Sequence, residues 1–455
     1  MSDNGDAKVR VAIIGSGPAG SYAAGHLLRH SDTELHVDIY ERLPTPWGLV
    51  RAGVAPDHPK IKSVTNLYER TAEHPRLRLF ANVEFGRHVT VEDLREHYHA
   101  IVYAVGTPTD RTMGIPGEEL AGSYSAADFV GWYNGHPDFC DLEFDLRGER
   151  VVVVGAGNVA LDVARMLVLT REELAVTDIA DHALDVLAAS GVREVVVVAR
   201  RGPAQAAFTN PELRELGELL DADVLVDPSE LALAGTLEDP DADATARRNV
   251  EILSDYATRA PSGKRKQVAL RFLLSPLALN GEQHVESVTL ARNELEVAAG
   301  GSLRARATDQ HVEIGAQAVF RAIGYRGTPL TGVPFDDTRG LIANEGGRVR
   351  HGEYVVGWAK RGPSGVIGTN KKDANDTVGR LLEDLAAGRL LDPAPIGDAA
   401  IEEFVRSRQP DLVDYERWVS IDRHERGLGE PAGRPRVKLA RLEQLLGVVG
   451  ERIDG

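Results

Sequence analysis

Apolar residues in this chain come in short β-branched runs, several of them closed by glycines. Val11-Ala12-Ile13-Ile14 runs into Gly15, Gly17, Gly20 and Ala24. Val151-Val152-Val153-Val154 runs into Gly155, Gly157, Ala160 and Ala164 with the same spacing. Each reads as a strand, a glycine-rich turn and a helix of small residues that can pack close to the strand. Further strand-like runs are His36–Tyr40, Ala100–Val105, Val195–Val198, Ala318–Ile323 and Tyr354–Val356. The stretch Thr170 to Gly191 predicts an extra helical excursion, and Asp373 to Ala386 predicts a helix with Val378, Leu381, Leu382 and Leu385 on one face. Short helical patches are expected near Ile401–Arg406 and Leu439–Val448 in an otherwise polar tail. Repetition of the strand–turn–helix unit predicts an α/β fold with two Rossmann-like dinucleotide-binding domains.

The first motif is Gly15-Ser16-Gly17-Pro18-Ala19-Gly20. Its glycines permit a sharp turn, close approach of backbone to a pyrophosphate, and tight helix packing. The positive end of the helix then faces the diphosphate. Glu41 closes the next strand. A carboxylate there accepts hydrogen bonds from a ribose and repels a 2′-phosphate, which selects FAD or NAD over NADP. A motif this near the start of the chain, with Glu at this spacing, points to FAD.

The second motif is Gly155-Ala156-Gly157-Asn158-Val159-Ala160, with alanine in place of the third glycine. Its next strand ends not in an acid but in Ala199-Arg200-Arg201-Gly202. Two guanidiniums suit a 2′-phosphate, which they bind in a fork geometry. That points to NADPH. Arg200 lies further from the motif than the usual spacing of about 20 residues, which is why the Thr170 to Gly191 excursion is needed. Strand and turn signals return after Phe320. The first domain is therefore expected to be discontinuous: 1–108 and 328–390 bind FAD, 109–327 binds NADP, and 391–455 is a C-terminal extension with no assigned role.

Bulk properties narrow the class. With 455 residues, 43% hydrophobic and 27% charged, the chain is globular and long enough for two domains. The longest apolar runs are strand-sized, so no membrane segment is expected. A net charge of -17 repels phosphate backbones and argues against nucleic acid as a partner. Cys140 stands alone. It allows no intrachain disulfide, suits a reducing compartment, and excludes a disulfide reductase that works through a C-x-x-C pair. The first ten residues lack an apolar run, so no secretory signal is expected and the protein reads as cytoplasmic. No metal site is expected.

Four stretches carry a longer resemblance: Pro44–Lys62 (PTPWGLVRAGVAPDHPKIK), Val151–Arg165 (VVVVGAGNVALDVAR), Ala199–Glu215 (ARRGPAQAAFTNPELRE) and Val355–Val378 (VVGWAKRGPSGVIGTNKKDANDTV). With them the chain resembles the adrenodoxin reductase family of NADPH–ferredoxin reductases, particularly its actinobacterial members. The resemblance implies hydride transfer from NADPH to FAD and single-electron transfer to a [2Fe–2S] ferredoxin. It places Ala19, Glu41, Leu49, Val83, Trp358, Gly365, Val366 and Ile367 at FAD. It places Ala156, Gly157, Asn158, Val159, Arg200, Arg201 and Glu212 at NADP, with Gly365 shared by the nicotinamide side. His58, Glu215 and Asp162 match polar residues near the flavin and nicotinamide. Hydride transfer needs positioning more than acid–base chemistry, so these three are expected to orient or tune. Lys60/Lys62, Lys360/Arg361, Lys371/Lys372 and Arg434–Arg441 are basic clusters that could meet an acidic partner. The alternatives are an FAD-dependent NADPH oxidoreductase with a quinone or other small-molecule acceptor, and a non-catalytic NADP(H)-binding subunit.

Overall fold

The computed structural model describes residues 8–30, 32–232, 243–297, 303–365, 367–394 and 397–450. The chain forms two compact units. The first comprises Met1–Thr109, Asn134–Pro137 and Tyr325–Gly455, and the second Asp110–Tyr133 and Asp138–Gly324. Both are α/β with a central sheet, parallel throughout in the second unit and parallel except for one edge strand in the first, as the repeated pattern predicts.

In the first unit the strand Val9–Ile14 lies between Leu35–Tyr40 and Ala100–Tyr103, both parallel to it. Leu77–Phe80 extends one side, while Glu353–Val355 and then Arg348–Arg350 extend the other. Val11, Ile13, Val37 and Val102 are almost wholly buried on one face, against Ala23, Ala24 and Leu27 of the helix Pro18–Leu28. Strands buried on both faces read as continuous apolar runs, which is why these were visible in the sequence.

The segment after residue 391, expected as an extension, is part of this unit. It holds the helices Asp398–Arg408, Tyr415–Gly429 and Leu442–Gly450. Ile401, Val405, Trp418, Ile421 and Leu445 are buried in its core. Val413 pairs main chain to main chain with Ala81, both N–H···O distances being 2.9 Å. The helix Tyr415–Gly429 was missed because its buried face is narrow. It shows only Trp418, Ile421, Glu425 and Gly429 to the core, and one of these is charged.

The second unit repeats the plan. Arg150–Val154 lies between Ala318–Arg321 and Glu194–Val198, and Lys266–Arg271, Ala222–Val226 and Ser123–Ser125 complete a parallel sheet. The excursion expected after Thr170 is real: Arg171–Leu174 and Asp181–Ala188 are helices, the first opened by a Thr170–Glu173 capping box. An antiparallel sheet of Leu274–Asn280, Ser287–Val297 and Leu303–Gly315 was not foreseen. Its charged, alternating positions dilute the apolar signal: Leu303–Gly315 buries only Ile314. The second unit is also interrupted at Asn134–Pro137, which packs with the first unit, where Lys438 donates to Asn134 Oδ1 (3.0 Å). Among the described residues no helix is long and apolar enough to cross a membrane.

Candidate dinucleotide sites

In the first unit the strand Val9–Ile14 turns at Gly15, whose φ is +105°. A Cβ there would sit 2.6 Å from the Ala104 carbonyl oxygen, so the turn admits only glycine. Gly17 is the N-cap of the helix Pro18–Leu28. No side chain caps it and the first turn holds no acid. Its N–H groups and positive end are therefore not answered by the protein's own side chains, as an anion site requires. By contrast, the helix Val91–His97 is closed by a Thr90–Asp93 capping box.

Glu41 faces this turn. Its Oε2 accepts from Ser16 N (3.1 Å) and Ser16 Oγ (2.6 Å), and its Oε1 from Leu43 N (3.1 Å). With one donor on it, Oε1 keeps acceptor capacity for a ribose hydroxyl. Ser16 Oγ in turn accepts from Trp47 N (3.2 Å). The backbones of Gly17 and Gly48 come so close that a Cβ on Gly48 would lie 2.9 Å from Gly17 Cα. Val83 is buried and its N–H donates to Glu41 O (2.8 Å), while Ala19 is buried and Leu49 exposed.

A second turn, Gly357-Trp358, belongs to the same unit. Gly357 has φ +73° and faces Ala19, whose Cβ would be 2.5 Å from an added one. Trp358, not an acid, follows this glycine. Here the carboxylate comes from the helix Ile367–Ala386: Asp373 Oδ2 accepts from Gly357 N (2.6 Å), and Lys360 Nζ lies 2.9 Å from Oδ1. Sequence reading missed Asp373, because its distance from the turn along the chain hides the contact. The indole nitrogens of Trp47 and Trp358 are buried with no protein hydrogen-bond partner among the described residues. Together with the uncapped helix and the cradle at Gly17 and Gly48, these donors fit a bound flavin nucleotide. Gly365 is exposed with φ +80° and Ile367 opens the helix; Val366 lies outside the described residues. His58 is buried and stands at the N-cap of the helix Pro59–Lys62.

In the second unit the corresponding turn is at Gly155, φ +149°, where a Cβ would meet the Ala322 carbonyl oxygen at 2.2 Å. Gly157 caps the helix Asn158–Val168, again with no side-chain cap and no acid in the first turn. A Cβ on Gly157 would meet nothing within 4 Å, so the backbone is open on that side. Ala160 is fully buried against the strand. The loop after Val198 folds back over the turn. Ala207 N donates to Ala156 O (2.7 Å), and Thr209 N to Asn158 Oδ1 (2.8 Å). Val159 is half-buried.

Arg200 is exposed and Arg201 half-buried, and among the described residues neither guanidinium has a carboxylate partner. Their backbones are fixed: Asn293 Nδ2 donates to Arg200 O (2.7 Å), and Leu273 N to Arg201 O (3.2 Å). The antiparallel sheet unseen in the sequence thus anchors the arginine pair. Asp162, Glu212 and Glu215 are brought together by a residue the sequence reading did not single out, Arg165. Its buried guanidinium lies 2.7 Å from Asp162 Oδ1, 3.7 Å from Glu212 Oε2 and 3.8 Å from Glu215 Oε2. The available signal was the i, i+3 spacing of Asp162 and Arg165 within a helix.

The comparisons with known proteins agree with this architecture. The model of the pyridine nucleotide-disulphide oxidoreductase family matches residues 9–202, from the first strand to just past the arginine pair. The disulphide in that description has no counterpart in a chain with one cysteine. An NADPH-ferredoxin reductase FprA from Mycobacterium leprae is 50% identical over 96% of this chain and 97% of its own length. The mitochondrial NADPH:adrenodoxin oxidoreductase of Salvelinus fontinalis is 43% identical over 96% of this chain and 91% of its own. The structure of Mycobacterium tuberculosis FprA in complex with NADPH superposes with a TM-score of 0.94 at 50% identity, covering 97% of this chain and 99% of that one. Identity at this level over nearly the full length of both chains settles the family: the chain belongs to the NADPH–ferredoxin reductases, a family of FAD-dependent oxidoreductases.

Proposed function

We propose that this protein takes hydride from NADPH onto FAD and passes single electrons to an iron–sulfur ferredoxin, with FAD on the first unit and NADPH on the second. The chain is an FAD-dependent oxidoreductase and NADPH is its nicotinamide cofactor. Bound FAD supplies the conversion of a two-electron donor into single electrons. The chain's residues bind and orient. The uncapped helix at Gly17 holds one diphosphate and Glu41 the ribose beside it. The uncapped helix at Gly157 holds the other diphosphate, with Arg200 and Arg201 on a 2′-phosphate. The observation that carries this reading is the contrast at the two strand ends. Glu41 is a carboxylate held by three donors, whereas among the described residues Arg200 and Arg201 have no acid to neutralise them. An unpaired arginine pair next to an uncapped helix is built for a phosphate monoester.

His58, Asp162 and Glu215 serve as orienting groups in this reading. Asp162 and Glu215 act through Arg165. The acceptor is tested by reduction of cytochrome c. A rate that depends on added [2Fe–2S] ferredoxin and saturates with it supports the assignment. Ferricyanide or quinone reduction without any ferredoxin-dependent cytochrome c reduction would assign a small-molecule acceptor instead.

A further inference from the structure

The C-terminal segment makes three contacts with a single residue of the loop that packs on Gly17. That residue is Arg51, in the short helix Leu49–Ala52 just after Gly48. Glu425, fully buried on the helix Tyr415–Gly429, takes Arg51 Nη1 at 2.8 Å and Nη2 at 2.5 Å. The Arg51 guanidinium also lies over the Trp418 ring, 5.5 Å from its centre. Lys438, itself buried, donates to the Arg51 carbonyl oxygen at 3.1 Å. Glu425 is completed by Arg436 (3.1 Å) and by Leu439 N (2.9 Å).

The loop held this way is strained. Trp47 has φ +83° and Gly48 φ +49°, a conformation that a bulky residue such as Trp47 adopts only when its surroundings impose it. A buried ion cluster is a poor source of stability, and in some proteins it fixes geometry instead. We propose that the C-terminal segment is a latch: through Trp418, Glu425 and Lys438 it grips Arg51 and holds the Trp47–Gly48 turn against Gly17, so that its job is to retain FAD. This rests on the assignment of FAD to the first unit. Glu425, Lys438 and Trp418 are positioning residues that act through Arg51.

The test uses the full-length holoenzyme and two readouts, the rate of FAD release on dilution, followed by flavin fluorescence, and the thermal midpoint. E425Q keeps side-chain volume and removes the charge. It is expected to speed FAD release at least tenfold. Added FAD restores kcat, and KM for NADPH stays within twofold. D384N breaks a different buried ion cluster of the same unit, in which Asp384 takes Arg348 at 2.7 Å and Arg389 at 2.7 Å. It is expected to lower the thermal midpoint while leaving FAD release unchanged. K438M shifts release in the same direction as E425Q by a smaller factor, and R51K gives an intermediate rate. Should E425Q not accumulate as folded protein, K438M and R51K supply both readouts. FAD release from the Arg51, Glu425 and Lys438 variants no faster than from D384N overturns the latch. E41Q separates the two layers. If E41Q speeds release and the latch variants do not, only the latch fails. If neither does, the FAD assignment itself fails.

Discussion

The two units start from nearly the same backbone and end in opposite charges. Each has a β-branched strand, a glycine at positive φ under a carbonyl, and a helix whose first turn has neither a side-chain cap nor an acid. Elsewhere in the chain some helices carry a side-chain cap, as at Thr90, Thr170 and Asp414, and others, as at Val64 and Ala180, do not. What these two ends share is an uncapped first turn that follows a strand and a glycine no Cβ could replace, the arrangement that suits an anion. The units then diverge at the end of the following strand, Glu41 in one and Arg200-Arg201 in the other. In the proposed reading the shared part binds a dinucleotide and the divergent part selects which one.

The strongest way to break the shared part is to put a Cβ into either turn. G15A and G155A each combine a positive φ, costing a non-glycine residue about 1–2 kcal/mol, with a methyl forced onto a carbonyl, an overlap that costs about 1–3 kcal/mol. Each is expected to lower unfolding free energy by about 2–5 kcal/mol in denaturant titration. G15A should also release FAD, while G155A should leave the flavin bound. Equal flavin loss in both variants contradicts the separate assignment of the two turns.

The divergent part is sharpened at the arginines. R200A and R201A each remove a charged contact worth about 1.5–3 kcal/mol. Together they are expected to raise KM for NADPH by about a hundredfold or more, with KM for NADH changed only a fewfold. E41Q is a smaller change, expected to weaken FAD retention by about tenfold, with the nicotinamide kinetics intact once FAD is resupplied.

The smallest effect is on acid stability. Asp384 is held well below the usual carboxylate range chiefly by its Arg348 hydrogen bond. Glu425 is also lowered: burial would raise it, but Arg51, Arg436 and the Leu439 N–H together outweigh burial. A carboxyl whose folded value is depressed contributes stability above the unfolded value, near pH 4, and loses it as pH falls toward the folded one. D384N is therefore expected to flatten the acid limb of the stability profile of the first unit below about pH 4. An unchanged slope would show that Asp384 does not carry it.

What was legible in the sequence was whatever depends on local pattern. Seven strands of the two large sheets, both glycine turns and the helix over Asp373–Ala386 follow from apolar runs, breakers and period, whereas Leu77–Phe80, Ser123–Ser125, Ala222–Val226, Lys266–Arg271 and Arg348–Arg350 did not stand out. The placing of Glu41 and Arg200-Arg201 just after the two strands was legible too, because it depends on local pattern alone. Contacts between residues far apart in sequence were hidden. Asp373 reaches back to Gly357, Arg165 gathers three carboxylates, and Glu425 holds Arg51 from the far end of the chain. The tail looked like an appendage for the same reason. Its helices bury few apolar side chains, and one of the buried positions is the charge that reaches Arg51.

The central claim is that the second unit reads the 2′-phosphate of NADPH with Arg200 and Arg201 and delivers hydride to a flavin on the first. It is tested most directly by anaerobic stopped flow, following flavin bleaching in the wild-type protein and in the R200A/R201A variant with NADPH and with NADH. The account predicts fast bleaching of the wild type by NADPH, much slower bleaching by NADH, and near-equal, slow rates for both cofactors in the variant. A variant that still prefers NADPH as strongly as the wild type would contradict it.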